Sequence, residues 1–234
     1  MDPILFYGVP AGCSFGAVVA LEWSGRPYRL CRVEMPADVG SDAFRRFNPL
    51  GETPTFISET GEVFSQSQAI LQHIARSSDD PRMGPDRGSP GFDRLIESLA
   101  FLHTGFFSAF SPLWQAFEGA EESEKGVLRS TGQRRVRKAF DQLAHLLDGR
   151  PWLVGDGPTV ADAYFMGVVR WNDFHKVLDL ADYPALAALR ARLERDPAVQ
   201  FALAVEQGQE ATSVGSYRGP VTLAEAPRGA RLAA

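Results

Sequence analysis

Long apolar runs are missing from this 234-residue chain. None approaches the roughly 18 residues that a membrane-spanning helix requires, so no membrane insertion is expected. Cysteine is scarce: Cys13 and Cys31 are too few for a disulfide framework and fit a reducing cytosol. The 4 histidines are dispersed, with no Cys/His cluster at metal-ligand spacing, so no metal is expected. An excess of basic charge is also lacking. Against 29 Asp and Glu stand 24 Lys and Arg, and the net charge of -5 argues against non-specific nucleic-acid binding. The one basic stretch, Arg129 to Lys138, carries its apolar residues on a single stripe and reads as the solvated face of a helix. Met1-Asp2-Pro3 has no basic segment leading into an apolar core, so a cytoplasmic location is expected rather than secretion.

What is present is ordinary for a globular protein: 44% hydrophobic and 23% charged residues. Ile4-Leu5-Phe6-Tyr7 is a short apolar run ending at Gly8, which predicts a buried strand. A turn at Pro10-Ala11-Gly12-Cys13-Ser14 precedes a helix over Phe15 to Trp23, ending near Gly25. Tyr28 to Val33 predicts a second strand, and Asp42 to Phe47 a short helix closed by Asn48-Pro49. Two strands around the turn Glu59-Thr60-Gly61-Glu62 and a helix to about Arg76 complete a β-α-β-α-β-β-α order in residues 1–78. Residues 79–90 are rich in proline, glycine and charge and read as a linker.

Residues 91–207 are helical throughout. Leu95, Leu99, Leu102 and Phe106 share one stripe, and Val136, Phe140, Leu143 and Leu147 another. Thr159-Val160-Ala161-Asp162 is a capping box, and that role accounts for Asp162 without a binding function. The tail, 208–234, is rich in Gly, Pro, Ser and Ala, which leaves disorder and draping over the domains both open.

One stretch points to chemistry. In Glu52-Thr53-Pro54-Thr55-Phe56 a proline that cannot donate to a ladder opens a strand, and a cis peptide is plausible there. An exposed backbone at that place can pair with an extended peptide. About ten residues on, Gln66-Ser67 opens a helix whose free N–H groups attract a carboxylate. The two together predict a site for a small peptide-like anion.

Asn48-Pro49-Leu50-Gly51-Glu52-Thr53-Pro54, Gln66-Ser67-Gln68-Ala69-Ile70-Leu71 and Val160-Ala161-Asp162-Ala163, in this order and spacing, resemble the cytosolic glutathione S-transferases over residues 3 to 205. Pro10-Ala11-Gly12-Cys13-Ser14 resembles the signature of the bacterial beta class. The resemblance implies a thioredoxin-like α/β N-terminal domain and an all-α C-terminal domain. It also implies glutathione as co-substrate, a small apolar electrophile, a two-fold homodimer and a role in detoxification. Thr53, beside a cis Pro54, would pair with the cysteinyl part of glutathione, and Gln66 and Ser67 would hold its γ-glutamyl end.

A thiol with pKa ~8.5 is little ionised at neutral pH, so the chemistry needs a donor that favours the thiolate. Three residues could supply one: Ser14 at the helix start, ranked first, then Cys13 beside it, then Tyr7 at the end of the first strand. Cys13 could instead form a mixed disulfide with glutathione. One departure stands out: where beta-class relatives carry a His-Lys pair, this chain has Phe107 and Ser108. His103, one turn earlier, is a candidate replacement, and Phe107 and Trp114 are candidate contacts for the electrophile. A glutathione-dependent reductase or peroxidase using Cys13, and a binding protein without turnover, are the alternatives.

Overall fold

In the computed structural model, which describes residues 1–227 and 231–232, the chain divides into two compact units. One comprises Met1–Met83 together with the chain from Glu194 onward, and the other is Gly84–Leu193.

The first unit follows the expected order. It contains β1 (Ile4–Val9), α1 (Phe15–Ser24), β2 (Pro27–Glu34), α2 (Asp42–Arg45), β3 (Thr55–Ile57), β4 (Glu62–Ser65) and α3 (Ser67–Arg76). β1 is buried along its whole length, as its unbroken apolar run requires of a strand covered on both faces. It pairs in parallel with β2, with Phe6 opposite Cys31, and antiparallel with β3, with Leu5 opposite Phe56. β3 pairs antiparallel with β4. α1 ends where Gly25 takes a left-handed conformation at φ 65°.

Two expectations change here. Every residue of α1 is buried, so the helix needs cover on more than its sheet side. α10 (Pro197–Glu206) helps supply that cover, burying Ala198, Val199, Phe201 and Ala202. Trp23 Nε1 donates to Asp196 Oδ1 at 3.1 Å beside it. α10 therefore belongs to the first unit, not to a helical domain running to 207.

The tail, for which disorder and draping were both left open, is ordered where described, and it joins the sheet rather than only lying over it. β5 (Ser216–Pro220) pairs in parallel with β2, and β6 (Arg231–Leu232) in parallel with β4. The strand order is β5-β2-β1-β3-β4-β6. Five residues and two carry too little periodicity to announce a strand, and their Gly and Pro content reads as coil.

The second unit is helical: α4 (Pro90–Phe101), α5 (Ser111–Glu118), α6 (Glu122–Leu147), α7 (Val160–Val169), α8 (Trp171–His175) and α9 (Pro184–Leu193). Both predicted stripes are buried, Leu95, Leu99, Leu102 and Phe106 against Val136, Phe140, Leu143 and Leu147. Phe106 and Phe140 meet at 5.0 Å between ring centroids. α4 runs into a π-helical turn over Leu102–Phe107, a widening that often accompanies a functional site. The capping box closes α7: the Thr159 side chain accepts from Ala161 N, and the Asp162 carboxylate accepts from Thr159 N at 2.8 Å, Thr159 Oγ1 at 3.0 Å and Leu153 N at 3.0 Å. Burial pushes the Asp162 carboxyl up to about 6.

Candidate functional site

The loop between β1 and α1 is folded against the segment that leads into β3. Val9-Pro10 is cis, and Ala11 takes a positive φ of 51°. A Cβ on Gly12 would stand 2.1 Å from the carbonyl oxygen of Gly8, so no side chain fits there. The Gly12 N–H donates to Glu206 Oε1 of α10 at 3.1 Å. These constraints deliver Cys13 to the start of α1. Its thiol lies 3.3 Å from the carbonyl oxygen of Thr53, and Thr53-Pro54 is cis, as the family resemblance implies. Asn48 fixes the approach to Thr53 by donating from Nδ2 to Glu52 O at 2.8 Å and to Thr55 Oγ1 at 3.1 Å.

α3 begins on the other side of Cys13. Ser67 Oγ donates to the Cys13 carbonyl at 3.4 Å, and Gln66 is exposed with its Nε2 3.4 Å from Glu52 Oε2. Gln66 sits at φ 76° and ψ 119°, a backbone conformation that ordinary side chains avoid and that functional sites tolerate. No side chain caps the N-terminus of α3. Cys13, Thr53, Pro54, Gln66 and Ser67 are thus brought together at the uncapped start of α3.

Ser14 is not presented with them. It is 1% exposed, and its hydroxyl oxygen accepts the Gly8 N–H at 3.1 Å. The first-ranked activating residue is turned inward as a brace between β1 and α1, because the Gly8 amide would otherwise be buried without a partner. Tyr7 is also elsewhere. It is buried in β1 with a side-chain hydrogen bond to Arg32, and burial pushes its phenol up. Arg32 in turn donates to the carbonyls of Val205 at 3.2 Å and Glu206 at 2.9 Å. Neither Arg32 nor Glu206 is marked in the sequence by any motif.

The Cys13 residue is partly exposed at its surface while the thiol itself is enclosed. That burial pushes the thiol up to about 11, although Ser67 pulls in the other direction. Cys13 therefore carries its proton at neutral pH. Cys31 is buried and likewise raised, to about 12, by burial. Among the described residues no group of three or more His, Cys, Asp or Glu side chains could hold a metal ion, and no helix is long and apolar enough to cross a membrane.

In the second unit, Phe107 ends the π turn and is partly exposed, its ring 5.3 Å from His103 and 5.0 Å from Trp171. Trp114 of α5 joins the same cluster, 5.2 Å from Trp171, 5.0 Å from Phe174 and 4.6 Å from His175. His103 hydrogen-bonds through Nδ1 to Tyr164 OH at 3.1 Å, so it serves the packing of α7. Ser108 donates to the carbonyls of Thr104 and Gly105 in its own helix.

Comparison with known proteins bears on the same residues. The glutathione S-transferase N-terminal domain model matches residues 10–82, and the glutathione S-transferase C-terminal domain model matches residues 102–197. Glutathione S-transferase GST-4.5 of Xanthomonas campestris is 30% identical over 203 residues, covering 86% of this chain and 97% of its own. A sphingomonad glutathione S-transferase solved in complex with glutathione is 30% identical, with a TM-score of 0.77 over 87% of this chain and 98% of its own. A bacterial beta class glutathione S-transferase from Sphingomonas chungbukensis is 28% identical, also with a TM-score of 0.77, covering 87% and 98%.

Proposed function

This chain belongs to the glutathione S-transferase family, and we propose that it transfers glutathione to small apolar electrophiles at a site built on Cys13, Thr53, Gln66 and Ser67. The observation that carries the reading is the meeting of the Cys13 thiol, the Thr53 main chain and the uncapped start of α3 in one place. Glutathione lies extended along Thr53, with main-chain hydrogen bonds to its cysteinyl residue. Its γ-glutamyl carboxylate is held by Ser67 and the free N–H groups of α3, with Gln66 beside it.

Cys13 acts as a donor rather than as a nucleophile. Its thiol is protonated at neutral pH, and the Thr53 carbonyl that now accepts its proton is the one the tripeptide pairs with. Displaced from that carbonyl, the S–H points to the glutathione sulfur and stabilises the thiolate, a weak donor placed where the charge develops. The thiolate then attacks an electrophilic carbon, forming the S–C bond as the leaving group departs with its electron pair. The same protonation disfavours a disulfide reductase, which needs the Cys13 thiolate itself.

Cys13→Ala should raise the apparent pKa of bound glutathione in the pH profile of kcat/KM by about one unit, and lower turnover near pH 6.5 about tenfold. Cys13→Ser keeps a donor and should stay close to the wild type. An unchanged profile in Cys13→Ala would rule out Cys13 as the donor. A two-fold homodimer, a cytoplasmic location and a detoxifying role belong to the same reading and rest on the family.

A further inference from the structure

The segment after α10 lies beyond the family-model matches, which end at Pro197. The segment after α10 is tied down at successive points. Glu22, buried in α1, accepts from Ser213 Oγ at 2.6 Å, Val214 N at 2.7 Å and Gly215 N at 3.0 Å, as well as from Tyr28 OH. A Cβ on Gly215 would stand 2.7 Å from the Glu22 carbonyl oxygen, so the segment can lie this close to α1 only as glycine. β5 then lengthens the sheet beside β2, Arg29 Nη2 reaches Pro220 O at 2.6 Å, and Val221 N donates to Leu30 O at 2.9 Å.

Beyond β5 the chain crosses onto the face of the sheet that α2 covers. Val221 and Ala226 are buried in one cluster with Phe6, Val33, Phe44 and Phe47. Arg46, the residue that ends α2, donates to the carbonyls of Leu223 and Ala226 and lies 4.4 Å over the Phe47 ring. Phe44 and Phe47 are held from above by this segment, and the next residue, Asn48, fixes Glu52 and Thr55 on either side of Thr53.

We propose that Ser213 to Ala226 is a positioning strap, which holds α2 and through it the Asn48–Thr53 loop in the geometry that binds glutathione. It rests on the reading of Thr53 as a glutathione contact. The strap contains none of Cys13, Thr53, Gln66 and Ser67. Its effect is preorganisation: a loop already ordered loses less entropy on binding.

The test uses two chains, the full-length Arg46→Met variant and a chain ending at Gln209. Hydrogen exchange is measured at the amides of Phe47, Asn48 and Gly51, whose partners are Phe44 O, Phe44 O and Asn48 O. The expected result is exchange about tenfold faster at these amides, with that of the Leu95–Leu102 region unchanged. The KM for glutathione should rise about fivefold while kcat stays within about twofold. Exchange and KM both within about twofold of wild type in Arg46→Met would overturn the proposal, even if the shortened chain fails to fold. A wild-type chain that does not bind glutathione would defeat the reading of Thr53 instead. The exchange rates would then still decide whether the strap holds the loop.

Discussion

Two helix N-termini in this protein meet the same physical problem with opposite solutions. The first N–H groups of any helix have no partner within it. At α7 they are closed from inside: Thr159 and Asp162 form a reciprocal box, and Asp162, fully buried, also takes the Leu153 amide. At α3 no side chain caps the end, the preceding residue is an exposed Gln66 at φ 76°, and Ser67 turns its hydroxyl to the Cys13 carbonyl. A saturated end serves the fold. An end left uncapped beside a thiol is the one proposed here to serve a ligand.

The sharpest break of this comparison is Asp162→Ala. It strands the amides of Leu153 and Thr159 and should cost about 3–4 kcal/mol of stability, read from the chemical-denaturation midpoint. The kcat of the molecules that remain folded should not change. A loss under about 1 kcal/mol would mean that the box is not what secures α7.

Acid titration is the next largest effect. The folded carboxyl titrates near 6, above its ordinary 3.8, so the native state holds its proton where the unfolded chain has released it. The contribution of Asp162 is therefore complete below pH 4 and declines as pH rises to about 6, by about 2–3 kcal/mol. Asp162→Asn should flatten the stability curve in that window alone. An identical slope in both proteins would place the titration elsewhere.

Ser67→Ala at the open end should do the reverse of Asp162→Ala. The KM for glutathione should rise about tenfold, equivalent to about 1.4 kcal/mol, while stability falls by less than about 1 kcal/mol. If stability falls and KM stays, α3 begins as α7 does and the contrast is lost.

The order β-α-β-α-β-β-α, the Thr53-Pro54 and Gln66-Ser67 elements and the capping box were all legible in the sequence. Each depends on local signals: a proline opening a strand, a polar pair before an apolar run, a glycine after a helix. The choice between Cys13 and Ser14 was not legible. Adjacent residues at a helix start point in different directions: the Gly8 amide takes the Ser14 hydroxyl, while the Cys13 thiol lies against the Thr53 carbonyl. Glu206 was hidden for a related reason, since it acts on Gly12 across 194 positions of sequence. The strap escaped because the residues that dock it, Glu22, Leu30 and Arg46, belong to elements with local roles of their own.

The registers of β5 and α10 also bear on the order in which this protein can be finished. Tyr28 is paired with Tyr217, and Trp23 with Asp196, so the first unit is assembled from both ends of the chain. Between them the ribosome must make all of Gly84–Leu193, which takes roughly 5 to 20 seconds at ordinary elongation rates. During that interval α1, buried on every side in the finished fold, has one flank without its partner helix. The helical unit, continuous in sequence, needs no such delay. The part made first is the part completed last.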